Sequence, residues 1–240
     1  MTVFDCIILI VICLYLLLIL GSIFIVCAFC HFQKRRVGIV DESAIVNQKR
    51  DTVVSSNKKS KLKKSVINCV TGLTHYLCIR VGRIPSFLIR NFTYKYIFCM
   101  DIDKKTIIYG GCEFRNPWNI SIGRSVIGPN NIIDGRNKVT IGNNVCTANN
   151  CSIWTMQHDP NSKDFGTKSS PVIVEDYAWI SSRTTILPGV KIRKGSVVAC
   201  NAVVTKDCEE FSIYMGIPAK KKGNRMDNLD YSFSDHWWFF

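Results

Sequence analysis

Two hydrophobic patterns divide the chain. From Cys6 to Cys30 the sequence runs without a charge or a proline. Much later, from Val174 onward, an apolar residue returns at every sixth position: Val174, Ile180, Ile186, Ile192, Val198 and Val204. Four residues after each of the first five comes a small or β-branched residue: Ala178, Thr184, Val190, Ser196 and Ala202. Ile141, Thr147 and Ile153 keep the same step upstream, as do Ile127 and Ile133. A six-residue period belongs neither to a helix, which repeats near 3.6, nor to a lone strand, which repeats at 2. Short, fixed self-similarity is the mark of a solenoid. Each unit supplies one short strand and one corner. The aliphatic residue points inward, the small one fits the turn, and three units close a triangular coil whose interior suits Ile and Val.

The breaks in the repeat matter as much as its regularity. Ile122 to Ile127 is one residue short, and Ile133 to Ile141 is two too long, so Asp134–Lys138 should bulge at a corner. Residues 154–171 interrupt the period altogether and predict one long loop, the place where a solenoid carries function.

The first run, 6–30, is long enough to cross a bilayer as a helix. Asp5 precedes it and Lys34-Arg35-Arg36 follow it. That arrangement lacks the basic start of a signal peptide, and it places the C-terminal side, with any catalytic domain, in the cytoplasm. Residues 32–65 hold ten basic side chains against three acids, over half of the net charge of +13. Charge concentrated beside an apolar run points to anionic lipid rather than nucleic acid. In 66–100, Val66, Val70, Leu73, Leu77 and Val81 recur at helical steps up to Pro85. The expected organisation is a transmembrane anchor over 1–31, a basic linker over 32–65, a helical cap or membrane-surface segment over 66–100, the repeat domain over 101–225 and a tail over 226–240. The twelve cysteines are irregularly spaced and form no zinc-ligand pattern, so they read as reduced, mostly buried thiols with no metal bound.

The stretch Trp179-Ile180-Ser181-Ser182-Arg183-Thr184-Thr185-Ile186-Leu187-Pro188-Gly189-Val190 resembles the hallmark of the hexapeptide-repeat acyltransferases. So do Val203-Val204-Thr205-Lys206-Asp207, Gly216-Ile217-Pro218-Ala219-Lys220, Ile133-Asp134-Gly135-Arg136 and Gln157-His158-Asp159-Pro160. The nearest branch by these motifs is that of the surface-polysaccharide and capsule O-acetyltransferases and the maltose and galactoside acetyltransferases. The resemblance implies a mainly β, left-handed parallel β-helix, a homotrimer with sites between subunits, acetyl-CoA as co-substrate and a carbohydrate or sugar-lipid acceptor. The left hand comes from the resemblance alone, since crossovers between parallel strands are otherwise right-handed.

His158 stands at the start of the long loop and is the one histidine of the repeat domain. It matches the family's base, and histidine suits a reaction that takes a hydroxyl proton and returns it to a leaving thiolate. Asp159 or Asp134 would orient its ring or touch the acceptor, or simply serve turns, and Trp179 would wall the acceptor site or be a buried structural residue. Matching along the ungapped run from Trp179 puts Ser182, Cys200, Thr205 and Lys220 at the coenzyme, and Lys206, Lys220, Lys221 and Lys222 supply cations for its phosphates, the last three being otherwise an ordinary basic tail. Ser181, Arg193 and Asn201 replace family glycines at corners, and Gly128 stands where sugar acetyltransferases carry an active-site Asn. N-acyl transfer to an amino sugar and a non-catalytic membrane scaffold are the alternatives.

Overall fold

A computed structural model of the chain describes residues 3–37 and 58–233; most of the expected basic linker and the end of the tail lie outside the described residues. Two long helices precede the repeats, α1 (Val3–Val37) and α2 (Lys58–Gly82), followed by the short α3 (Phe87–Phe92) and a π-helical turn over Thr93–Ile97. The boundaries 32 and 65 therefore fall inside helices. Lys34, Arg35 and Arg36 occupy the last turn of α1, where cations meet the helix's free carbonyls. The lysines of 58–64 are good helix formers and open α2.

The last third of α1 is also not a detached anchor. Val26 and Cys30 are fully buried. The Phe29 ring meets Trp118 edge-on at 5.5 Å, and His31 Nδ1 lies 3.1 Å from Cys99 Sγ. Ile10 to Leu20, by contrast, expose their apolar side chains.

The repeats close a three-faced parallel solenoid. One face stacks β1 (Asp101–Ile102), β4 (Ile120–Ile122), β7 (Val139–Ile141), β12 (Val172–Val174) and β15 (Lys191–Ile192). The second stacks β2 (Ile107–Ile108), β5 (Val126–Ile127), β8 (Cys146–Thr147), β13 (Trp179–Ile180), β16 (Val197–Val198) and β18 (Ser212–Met215), with β19 (Lys220–Asn224) antiparallel at its end. The third stacks β3 (Glu113–Arg115), β6 (Ile132–Asp134), β9 (Ser152–Ile153), β14 (Thr185–Ile186) and β17 (Val203–Val204). The expected six-step residues are in register and buried: Ile127 pairs with Thr147, Thr147 with Ile180, and Ile180 with Val198.

Thr147 brings a hydroxyl into this apolar column. Asn131 Nδ2 donates to it at 2.7 Å, while Asn131 Oδ1 accepts from Cys151 N at 2.7 Å, so neither group is left unpaired. Corners turn through left-handed residues, Asn130, Asn150 and Asn201 on one edge, where Asn tolerates positive φ. Asn201 thus replaces a family glycine without leaving its backbone region. Ser181 and Arg193 do not have positive φ, so no glycine is required there.

The first coil is closed from below by Arg90. Its guanidinium donates to the carbonyls of Ile84, Pro85 and Ile108, the last at 2.9 Å. Burial lowers its pKa, and the carbonyls take the place of water.

The bulge expected at Asp134–Lys138 is a turn of 3₁₀ helix over Gly135–Asn137. Asp134 is fully buried. Its carboxylate accepts from Arg136 Nε at 2.8 Å and Nη2 at 2.9 Å, and from Thr155 N at 3.3 Å. Thr155 Oγ1 returns a bond to Asp134 O at 2.7 Å. Burial alone would raise the carboxyl's pKa, but the Arg136 bonds and backbone N–H groups outweigh it and hold the pKa below the usual range.

Two outcomes follow. Ile153→Ala, in the central coil, should cost about 2–5 kcal/mol in a chemical-denaturation experiment, because a narrow prism cannot collapse around the gap. The lowered Asp134 pKa contributes stability that is present above the unfolded carboxylate value near ~3.9 and is lost as pH falls through the folded one. Asp134→Asn should therefore lower stability by about 1–3 kcal/mol at neutral pH and flatten the acid limb of a pH–stability curve.

Candidate active site

The long interruption is a β-hairpin. Its strands β10 (Met156–His158) and β11 (Thr167–Ser169) pair antiparallel, with His158 opposite Thr167. It leaves the solenoid at the edge between the third and first faces. The hairpin root is fixed twice over: by the Asp134–Arg136–Thr155 group, and by Asn137, whose N–H donates to Thr155 Oγ1 at 2.9 Å and whose Nδ2 donates to Ser169 Oγ at 3.0 Å.

His158 is exposed, and its ring is held by one residue. Nδ1 lies 2.9 Å from the carbonyl oxygen of Phe165, and the Phe165 ring stacks on the imidazole with centroids 3.8 Å apart and planes 16° apart. A carbonyl can only accept, so Nδ1 carries a proton, and in the neutral ring the lone pair lies on Nε2. That is the tautomer a general base requires. Phe165 itself is 70 % exposed and adopts a left-handed φ of 53°.

Neither aspartate orients the ring. Asp159 is paired with Lys168 Nζ at 2.9 Å and accepts from Asn161 N at 3.1 Å. Those bonds, Lys168 first, hold its carboxyl below the usual range. Both bonds are those of a short turn, and neither reaches the imidazole. Asp134, wholly buried and saturated by Arg136 and Thr155, has no surface with which to touch an acceptor. The orienting group is a main-chain oxygen, which residue identities do not reveal. A lone aromatic in an otherwise polar loop was the available signal for Phe165.

Trp179 is 46 % exposed on the second face, beside Cys146, so it is not a buried structural residue. Next to it a cavity of about 340 Å³ is lined by Tyr109, Val126, Gly128, Cys146 and Asn149. A Cβ at residue 128 would come within 2.6 Å of the carbonyls of Thr147 and Ala148, so the coil leaves no room for a side chain at this position.

The coenzyme candidates occupy the last coils. Ser182 and Cys200 stand on the edge between the second and third faces, and Ser182 O accepts from Asn201 N at 3.0 Å. Thr205 and Lys206 are exposed on the other edge, the one that carries the hairpin, and Lys220 opens β19 and is exposed. Within one chain the hairpin of His158 and the Trp179 face are thus not brought together; the prism lies between them.

No family model matches the chain. A galactoside O-acetyltransferase of Lactococcus lactis is 30 % identical over 101 residues, 41 % of this chain and 48 % of that one. An Escherichia coli protein named for colanic acid biosynthesis is 25 % identical over 138 residues, 57 % of this chain and 72 % of that one. The chain spans about half the length, or less, of most of the curated relatives it matches. Among solved structures, a hexapeptide-repeat acetyltransferase of Vibrio cholerae complexed with acetyl-CoA superposes with a TM-score of 0.60 at 24 % identity, covering 68 % of this chain and 90 % of that one. The chain thus has the parallel β-solenoid fold of the hexapeptide-repeat acetyltransferases.

Proposed function

We propose that this chain is an O-acetyltransferase that moves an acetyl group from acetyl-CoA to a sugar hydroxyl, at a membrane surface and in the synthesis of a surface polysaccharide. The observation that carries the reading is the 2.9 Å contact of His158 Nδ1 with Phe165 O; a carbonyl only accepts, so Nδ1 carries a proton and, in the neutral ring, Nε2 is the basic nitrogen. The relatives and the solved structure named above support the reaction class and the co-substrate.

Nε2 takes the proton of the acceptor hydroxyl as its oxygen attacks the thioester carbonyl. The C–O bond forms, the C–S bond breaks, and the proton on Nε2 passes to the departing thiolate. The imidazolium formed in between keeps its Nδ1–H on a carbonyl, which stabilises the added charge. The thioester is already activated, so no acyl-enzyme is needed, and the buried thiols of Cys112, Cys151 and Cys208 are unsuited to one: burial pushes the Cys112 and Cys208 thiols up to about 12 and that of Cys151 to about 11.

Three copies of the chain complete the site in this reading. The hairpin of one copy lies against the Trp179 face of the next, and Ser182, Cys200, Thr205 and Lys220 from the edges that meet there line the coenzyme's path, with Lys206 and Lys220 at its phosphates. The exposed Trp179 and its apolar neighbours on the second face supply the surface to be covered. The part of α1 ahead of the packed Val26 is apolar and long enough to span a bilayer, and the basic last turn of α1 keeps the solenoid on the cytoplasmic side.

His158→Ala should lower kcat by about 10²–10⁴-fold with the acetyl-CoA KM nearly unchanged, measured by thiol release with a confirmed acceptor; near-wild-type turnover would remove histidine base catalysis. Deleting residues 1–20 should release the protein from membranes as a species of three times the chain mass by sedimentation equilibrium. Deleting 1–31 should instead give unstable protein, because it also strips Val26, Phe29 and Cys30 from the packed base. A soluble full-length chain, or a monomer after the shorter deletion, would contradict the assembly.

A further inference from the structure

Two hollows follow one another along α2, one against α1 and one against the solenoid. The first, about 550 Å³, lies between α1 and α2; Phe29, Phe32, Leu62, Val66 and Ile67 make it apolar, and Arg36 and Lys63 also line it. The second, about 310 Å³, continues along α2 and is lined by Gly72, His75, Arg115, Trp118 and Arg136. The Phe29–Trp118 ring pair stands between them, Phe29 lining the first and Trp118 the second, and Ile67 and Thr71, one from each hollow, lie one helical turn apart on α2.

The inner hollow presents cations whose carboxylates are placed behind them. Arg115 gives Nε to Glu113, which also binds His75 Nε2 at 3.0 Å. Arg136 gives Nε and Nη2 to buried Asp134. Arg115 Nη1 and Nη2 and Arg136 Nη1 donate no hydrogen bond among the described residues, and neither carboxylate lines the hollow. Guanidinium groups fixed at one side and open at the other suit a phosphate. Both arginines then touch the catalytic loop. The Arg115 guanidinium lies over the Trp154 ring at 5.1 Å, and Arg136 Nη2 reaches Met156 O at 3.5 Å, two residues before His158. Two residues of strand span about 7 Å, room for one sugar between phosphate and base.

We propose that the acceptor is a sugar carried on a single-chain lipid phosphate, its tail in the α1–α2 groove, its phosphate on Arg115 and Arg136 and its sugar hydroxyl at His158. This names the acceptor class for the transferase reading and rests on it. Phe29, Phe32 and Arg36 continue the same helix as the apolar stretch read as the bilayer span, so a tail leaving the bilayer meets the groove along α1, and a lone chain fits a groove of this volume.

The test uses the full chain in zwitterionic lipid nanodiscs and titrates decyl phosphate, decanol and inorganic phosphate by calorimetry. Decyl phosphate should bind at least ~10-fold more tightly than either half-ligand. Gly72→Leu fills the hollow at a position where a Cβ meets nothing within 4 Å, and it favours the helix, so folding is retained; it should weaken decyl phosphate by ~10-fold or more. Equal binding of decanol, undiminished binding by Gly72→Leu, or equally strong competition from phosphatidylglycerol vesicles would each overturn the proposal, the last by making the site one for bilayer headgroups. His158→Ala should bind decyl phosphate as the wild type does. Binding with no acetyl transfer by the wild type to any sugar-phosphate lipid would overturn the transferase reading and with it the acceptor assignment, leaving a lipid-phosphate site.

Discussion

Everything in this molecule hangs on the ladder that stacks one coil on the next. The parallel strands, β18 excepted, are only two or three residues long, and each buries one or two side chains. No coil could hold its shape alone, since a single turn has no neighbour to accept its N–H groups or cover its Ile and Val. The constraint is register: the inward residue of each coil lies on the inward residue of the coil below, as Ile133 does on Phe114 and Ile186 on Ile153. A solenoid also has two open ends. Arg90 and the aromatic group of Tyr94 and Phe114, with ring centroids 4.9 Å apart, close one. At the other, β19 turns back antiparallel on β18 and ends the parallel ladder.

Register also dictates where variation is permitted. Insertions can occur only at corners, because an extra residue within a strand would swing the aliphatic side chain outward. Among the described residues the largest is the hairpin, and the turn at Gly135–Asn137 lies one coil below it on the same edge. They are neighbours for a reason. The lower one carries Asp134 and Arg136, which bind the root of the upper through Thr155 and Met156. The bulge that broke the periodicity is the foundation of the loop that carries His158.

The fold was legible because its period is written in residue types that have one place to go. Val174 through Val204 fall where the six-residue step puts them, and the deviation at Ile133–Ile141 marks a real corner. The helical boundaries were less legible. Charge suggested a linker over 32–65, yet lysine and arginine are good helix formers and extend both α1 and α2 into it. Nor could the sequence show that α1 packs on the solenoid, since Val26, Phe29 and Cys30 look no different from the rest of an apolar run. His158 stands where the repeat puts it, on the loop that breaks the period. Residue identities could not show that Asp159 turns to Lys168 across the hairpin rather than to its neighbour's ring, because successive side chains leave a strand on opposite faces.

The hydrogen bond from His158 to Phe165 O has an evolutionary side. A carboxylate that orients an imidazole can be lost in one substitution. A main-chain oxygen is present whatever residue occupies position 165, so long as the hairpin keeps its turn. The loop is therefore free to change nearly all of its side chains, and with them what it presents to a bound molecule, while the protonation pattern of the ring stays fixed. Recognition can drift over that surface without the ring having to be set again.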